Sequence, residues 1–247
     1  MRRAAPILTV AVLAALAAGI GASTAPAGAA ACGSGAHGSP GYSYAGREAS
    51  ARAHGVRATI AATTAPDVRA GHAAGWVGVG GPGAGANGRT QWLQAGIALL
   101  PATPPLVYAE ITRASGSTAF RPLLQGVALG EAHSLAVLEV AGTRDRWRVW
   151  VDGKPATEPI HLPGSSGRWR PIATAESWNG GRQVCNRFGF RFEGVQVAGA
   201  RGGSWRTFPA GATFLDRGFT LRALTPAGGP RSLSETARPY AFLAASA

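Results

Sequence analysis

From Val56 onward the chain falls into short segments in which apolar and polar residues alternate with a period of two, bounded by Gly, Pro, Asn and Asp. They are VRATIAAT, AGWVGVG, QWLQAGIAL, LVYAEIT, SLAVLEVA, RWRVWVDG, RPIATAES, RFGFRFEGVQVA and GFTLRAL. No stretch keeps the three-and-four apolar spacing of a substantial helix, so parallel strands joined by crossover helices are excluded. The pattern predicts an all-β protein, an antiparallel two-sheet β-sandwich of the jelly-roll kind. Two local signals add detail. Asp152-Gly153 within VDGK predicts a tight hairpin, because both residues accommodate positive φ. In RFGFRFEGVQVA the large apolar residues change phase at Gly194, which predicts a bulge or bend.

Successive side chains of a strand point to opposite faces. Leu93, Ala95 and Ile97 therefore share one face of their strand, and Trp92, Gln94 and Gly96 the other. The same division sets Val77 and Val79 against Trp76, Gly78 and Gly80, and Val107, Ala109 and Ile111 against Tyr108 and Glu110. It also sets Ala173 and Ala175 against Thr174 and Glu176. The aliphatic faces predict a core containing Leu93, Ile97, Ala109, Ile111 and Ala175. An ordinary solvated face would carry Lys, Arg, Ser and Thr, whereas these opposite faces combine aromatic rings with Gln, Glu and glycine. Two readings stand. The face is a groove walled by Trp76, Trp92 and Tyr108, where glycines let a ligand backbone approach; or those rings pack under a loop, and Gln94 and Glu176 are structural amide and carboxylate.

The N-terminus changes the setting. Arg2 and Arg3 precede an apolar run from about Ile7 to Ile20 and then small residues, the plan of a secretory signal peptide over residues 1–31. That run is short for a membrane span, and no later segment offers about 18 uninterrupted apolar residues, so a transmembrane segment is not expected. Residues 32–55, rich in Gly, Ser and Ala, read as an N-terminal arm, and 56–247 as a single domain, which suits an all-β chain of this length. The expected location is extracellular. In an exported chain Cys32 and Cys185, the only cysteines, most simply form a disulfide; the alternative makes Cys32 the lipid-modified first residue of an anchored protein. The formal charge of +12 becomes +10 once Arg2 and Arg3 are removed, and nearly all of it is arginine. Such a charge suits an anionic wall polymer as an additional partner. The arginines are scattered, without the clustered stripe that tracks phosphates, so no specific nucleic acid is expected. A monomer is expected.

The ordered set WVGVGG, LQAGI, VYAEI, GEAHSLAVLEV and ATAESW resembles the eqolisin-type glutamic peptidases, over roughly Gly75 to Val197. Gln94 lies 16 residues before Glu110 (110 − 94) and 82 before Glu176 (176 − 94). The resemblance implies a concanavalin A-like sandwich that hydrolyses polypeptide substrates without a cofactor. It assigns the catalytic dyad to Gln94 and Glu176. On that assignment Glu176 takes a proton from the attacking water and Gln94 donates to the oxyanion. Glu110 would steady the network or bind substrate, with Trp76, Trp92 and Tyr108 as groove walls. The chain departs from the family pattern at Gly80 and Ala98, where acidic residues are expected, at Tyr108, where tryptophan is usual, and at Ser177, which separates Glu176 from Trp178.

Other chemistries find little footing. There is no Gly-x-Ser-x-Gly elbow, and His37, His54, His72, His133 and His161 show no metal-ligand or triad-like spacing with Cys, Asp or Glu. GVGGPG matches a dinucleotide loop in form, but Pro82 and the lack of a following helix exclude one. Glycan hydrolysis would need two carboxylates flanking the scissile bond, for which Glu110 and Glu176 are the available pair. The non-catalytic alternative is an extracellular sandwich that binds peptide, glycan or wall polymer.

Overall fold

The computed structural model describes residues 41–63, 66–182, 184–224 and 240–246 of the 247-residue chain. The structure is all-β, two antiparallel sheets packed face to face, with a single 3-10 turn at Ala86–Gly88 as its only helical element among the described residues. One sheet has seven strands: β1 (Tyr42–Ala49), β3 (His72–Gly81), β4 (Gln91–Leu99), β5 (Leu106–Thr112), β6 (Thr118–Gln125), β11 (Pro171–Trp178) and β14 (Ala210–Leu215). Their order across the sheet is β14-β1-β11-β3-β4-β5-β6. The other has nine: β2 (Gly55–Ala62), β7 (Ala132–Glu139), β8 (Arg146–Val151), β9 (Lys154–Pro155), β10 (Ile160–His161), β12 (Gly189–Ala200), β13 (Gly203–Thr207), β15 (Phe219–Ala223) and β16 (Tyr240–Ser246). Its main order is β10-β8-β7-β2-β12-β16-β15, with β13 paired to β12 and β9 to β8.

The core is built by the alternation that the sequence displays. Val77, Val79, Leu93, Ala95, Ile97, Val107, Ala109, Ile111, Ala173 and Ala175 all lie in the inter-sheet cluster, facing Val56, Ile60, Leu135, Val137, Phe190 and Phe192 of the second sheet. The five residues expected in the core are fully buried. Burying a Leu or Ile side chain stabilises by about 1.5–3 kcal/mol before entropy is counted.

The two local signals are also borne out. Asp152 and Gly153 both have positive φ, at 50° and 74°, and turn β8 into β9. At Gly194, φ is 58°, and the register of β12 shifts against both β16 and β2 between Phe192 and Gln196.

The structure adds strands that the alternation did not reveal. Residues 42–49, within the span read as an arm, form β1, an interior strand between β14 and β11. Its inward residues Ser43, Ala45 and Ala49 are small, so its buried face carries little hydrophobic signal. Residues 1–40, and with them the expected leader and Cys32, lie outside the described residues. Among the described residues no helix is long and apolar enough to cross a membrane.

Candidate functional site

The outer face of the seven-stranded sheet carries a second cluster, separate from the core. Ala74, Trp76, Ala98 and Tyr108 are buried together there, with Tyr44, Leu106 and Ile172 packed against them. Register places the polar residues among these rings. Gln94 on β4 pairs with Glu110 on β5 and with Gly78 on β3. Glu176 on β11 pairs with Tyr44 on β1 and with Ala74 on β3. Gln94 is 6% exposed and Glu176 7%, so both are buried polar groups in need of partners.

Each polar group has its own aromatic or imidazole holder. Gln94 Nε2 donates to Tyr108 Oη at 3.1 Å. Trp92 Nε1 donates to Glu110 Oε1 at 3.1 Å. His72 Nε2 lies 3.1 Å from Glu176 Oε1. A carboxylate can only accept, so the Nε2 proton belongs in that last contact.

The electrostatics tie the three together. Burial, and then the charge of Glu176, pushes the Glu110 carboxyl up to about 7, against the smaller opposing effects of the Trp92 hydrogen bond and the His72 charge. The same two causes raise the Tyr42, Tyr44 and Tyr108 hydroxyls well above the usual phenol range, so all three stay neutral. Glu176 therefore acts on groups from β1 to β5. One carboxyl of the face is poised to hold or release a proton near neutrality, the property sought in an acid–base group.

Gln94 and Glu176 share the face without sharing a row. They are separated by β3, and their partners on it, Gly78 and Ala74, are four residues apart (78 − 74). Between those partners stands Trp76, opposite Gly96 and Thr174. Two of the glycines are needed for this arrangement itself. A Cβ on Gly78 would lie 2.9 Å from Gln94 Cβ, and one on Gly96 2.6 Å from Trp76 Cβ. The missing side chains make room for the amide and the indole.

All the expected site residues, Trp76, Trp92, Gln94, Tyr108, Glu110 and Glu176, lie on this face. The structure adds Tyr42, Tyr44, His72 and Trp178. Tyr42 stacks on Tyr44 and on Trp178 with ring centroids 6.2 and 6.0 Å apart, and His72 lies 5.8 Å from Trp178. Sequence spacing offers no triad-like or metal-ligand set for the histidines, and register pairs three of them with carboxylates: His72 meets Glu176, His54 meets Glu139 at 2.7 Å and His133 meets Asp152 at 2.8 Å. The available signal for His72 was its parity with Trp76 on one strand, which puts both on the outer face. No group of three His, Cys, Asp or Glu among the described residues is placed to hold a metal ion.

No protein-family model and no curated relative matches the sequence. The fold does find neighbours among solved structures. Two structures of scytalido-glutamic peptidase, each with a transition-state analogue, superpose with TM-scores of 0.52 and 0.50 at 12% and 13% identity, covering 83% of this chain and 98% of the other. SCP-B, an eqolisin-family peptidase in complex with the tripeptide Ala-Ile-His, gives 0.45 at 13% identity and the same coverage. A β-glucanase from Bacillus licheniformis gives 0.36 at 16% identity over 55% of this chain and 61% of the other. At these identities the likeness establishes the fold, which the chain shares with glutamic peptidases.

Proposed function

We propose that this chain is a glutamic peptidase that hydrolyses peptide bonds on the outer face of its seven-stranded sheet. The observation that carries the reading is the single aromatic face bearing a buried amide, a buried carboxyl and a half-buried one, the last raised to about 7. The motif resemblance and the shared fold support it.

In the proposed reaction a substrate chain lies over Trp76, within reach of both flanking strands. Glu176 removes a proton from a water molecule as the water oxygen attacks the peptide carbonyl. The carbonyl oxygen takes up the negative charge and is met by the Gln94 amide, whose second N–H is not used by Tyr108. Glu176 then returns its proton to the nitrogen as the C–N bond breaks. Glu110, protonated below about pH 7, supplies a neutral donor beside Gln94.

The test is hydrolysis of denatured protein by the purified chain from acid to neutral pH. Glu176→Gln keeps size and hydrogen bonding while removing the proton carrier, so turnover falls to background with the fold intact. Gln94→Ala costs on the order of a hundredfold or more in kcat, the scale of losing one oxyanion donor. A wild type that cleaves nothing, or a Glu176→Gln variant that cleaves equally well, transfers the face to a non-catalytic, ligand-binding role.

Export and a Cys32–Cys185 bridge belong to the same proposal, on the evidence of the N-terminal sequence and the even cysteine count. Such a bridge would fix the N-terminal segment beside Asn186 and so beside the end of β11. Intact mass of the secreted protein is expected to show loss of about 31 residues, the length of an ordinary leader, and two fewer hydrogens than the dithiol. A diacylglycerol on Cys32, or a thiol that reacts at Cys185 without reduction, would refute the bridge.

A further inference from the structure

We infer that His72 is the positioning residue of the site, holding the Glu176 carboxylate in its working orientation from a clamp centred on Asn186. The inference rests on the peptidase reading and assigns a residue that the motif resemblance does not include.

The contact comes from the register. Glu176 pairs directly with Ala74, and His72 is the diagonal neighbour two residues along β3, a position that only a long side chain can bridge. The imidazole spans it and takes Oε1 at 3.1 Å, leaving Oε2 as the oxygen available for a water. The ring is confined on two sides, by Trp178 at 5.8 Å and by Tyr42 edge-on at 6.0 Å.

The backbone beneath the pair is fixed by Asn186. Its Nδ2 lies within 3.3 Å of the carbonyls of Ala70, His72 and Trp178 and of Ser177 Oγ, and its Oδ1 accepts from the amides of Arg69 and Ala70. This amide is 3% exposed, and it ties the entry to β3 to the last two residues of β11, the segments that carry His72 and follow Glu176. A reactive carboxylate held by one residue, with that residue's backbone held by a buried amide, is the arrangement that keeps a site in geometry. The two other histidine–carboxylate contacts lie away from this face: His54–Glu139 is at the start of β2, and His133–Asp152 is at the β8–β9 turn.

Two measurements test the inference, one of them independent of catalysis. In hydrolysis assays His72→Phe is expected to lower kcat by about 10- to 100-fold with KM unchanged, the scale on which orienting partners act. His72→Gln, which offers an amide N–H at a similar reach, restores most of the rate. A His72→Phe variant that folds and keeps wild-type kcat overturns the inference, as does a His72→Gln variant no better than His72→Phe. In thermal unfolding, the Tm losses of His72→Phe and Glu176→Ala, each of which removes one side of the contact, are expected to add to more than the loss in the double variant, because the singles break one shared contact. Additive losses overturn the pairing whether or not the protein is active. A wild type that cleaves no substrate overturns the peptidase reading and with it the catalytic role of His72, and the unfolding cycle then still decides the contact itself.

Discussion

The outer faces of the two sheets use the same backbone geometry for opposite electrostatic ends. On the nine-stranded sheet the outward positions of β2, β8 and β12 carry Arg57, Arg148, Trp150, Arg191 and Gln196. There Arg57 Nε donates to Gln196 Oε1 at 2.7 Å, with its guanidinium 4.5 Å above the Trp205 ring, and Arg191 meets the exposed Glu193 at 3.4 Å. Charge there sits partly in solvent and its partners can be exchanged for water. On the seven-stranded sheet the outward positions hold no arginine among the rows of Gln94 and Glu176; they hold a buried amide, a buried acid and the half-buried Glu110, each with one named partner. A protein of formal charge +12 thus keeps arginine out of the rows of Gln94 and Glu176, whereas the fully buried Glu139 at the end of β7 has His54 at 2.7 Å and Arg201 at 3.4 Å. Charge tolerated in solvent is inexpensive, whereas a buried charge needs a fixed partner to offset its desolvation.

The contrast is sharpened most by Glu110. Its folded value near 7 stands above the ordinary 4.5, so the folded state binds the proton more tightly than the unfolded chain. The sign follows: this contribution to stability is complete below about pH 4.5 and is lost as pH rises to about 7, amounting to roughly 3 kcal/mol at most. Glu110→Gln removes the ionisation and keeps an acceptor for Trp92. The variant should match wild type at pH 4 and exceed it by up to about 3 kcal/mol at pH 8. Urea unfolding midpoints at the two pH values check this, and a variant gaining nothing at pH 8 would show that Glu110 ionises without cost and that the two faces do not differ as described.

How far the sequence reached is clear from particular residues. Parity within β3, β4, β5 and β11 assigned every inward aliphatic and every outward polar residue correctly, because a period of two is dictated by the backbone and each of these strands has one uniformly aliphatic face. Asp152-Gly153 and Gly194 were legible for the same kind of reason, a φ requirement that few residues meet. What was hidden depends on register. His72 and Glu176 are 104 residues apart and meet only because β3 and β11 align Ala74 with Glu176, which no local pattern encodes. Strand β6 was masked by Pro122, tolerated because β6 is an edge strand. The separation of Gln94 from Glu176 by one strand and four residues was likewise beyond the motif, which fixes order along the chain and not rows across a sheet.

A smaller effect is expected at Tyr108. Tyr108→Phe keeps the ring that stacks on Phe120 at 4.9 Å and removes only the hydroxyl that accepts from Gln94 Nε2. The amide is then buried without that acceptor, a loss of about 1–3 kcal/mol. The variant should also show a changed kcat, since the Gln94 amide is freed to rotate. Unchanged stability would mean that Gln94 finds another acceptor and that the face is less fixed than its hydrogen bonds suggest.

The smallest effect belongs to the other face, at Arg57. Arg57→Ala removes a hydrogen bond to Gln196 and the cation–π contact with Trp205, which resembles the losses on the seven-stranded sheet when counted by contacts alone. The physics differs in what is left behind. Gln196 and Trp205 are only partly buried, so water replaces the guanidinium and no polar group is stranded. A cation–π contact at such a site contributes about 0.5–1 kcal/mol, and the expected loss is therefore about 1 kcal/mol or less. Unfolding midpoints of Arg57→Ala and Tyr108→Phe, measured side by side, decide whether burial or contact number sets the energetic difference between the faces. If removing Arg57 costs more than removing one buried hydroxyl, contact number governs, and the Gln94, Glu110 and Glu176 face loses its standing as the energetically distinct one.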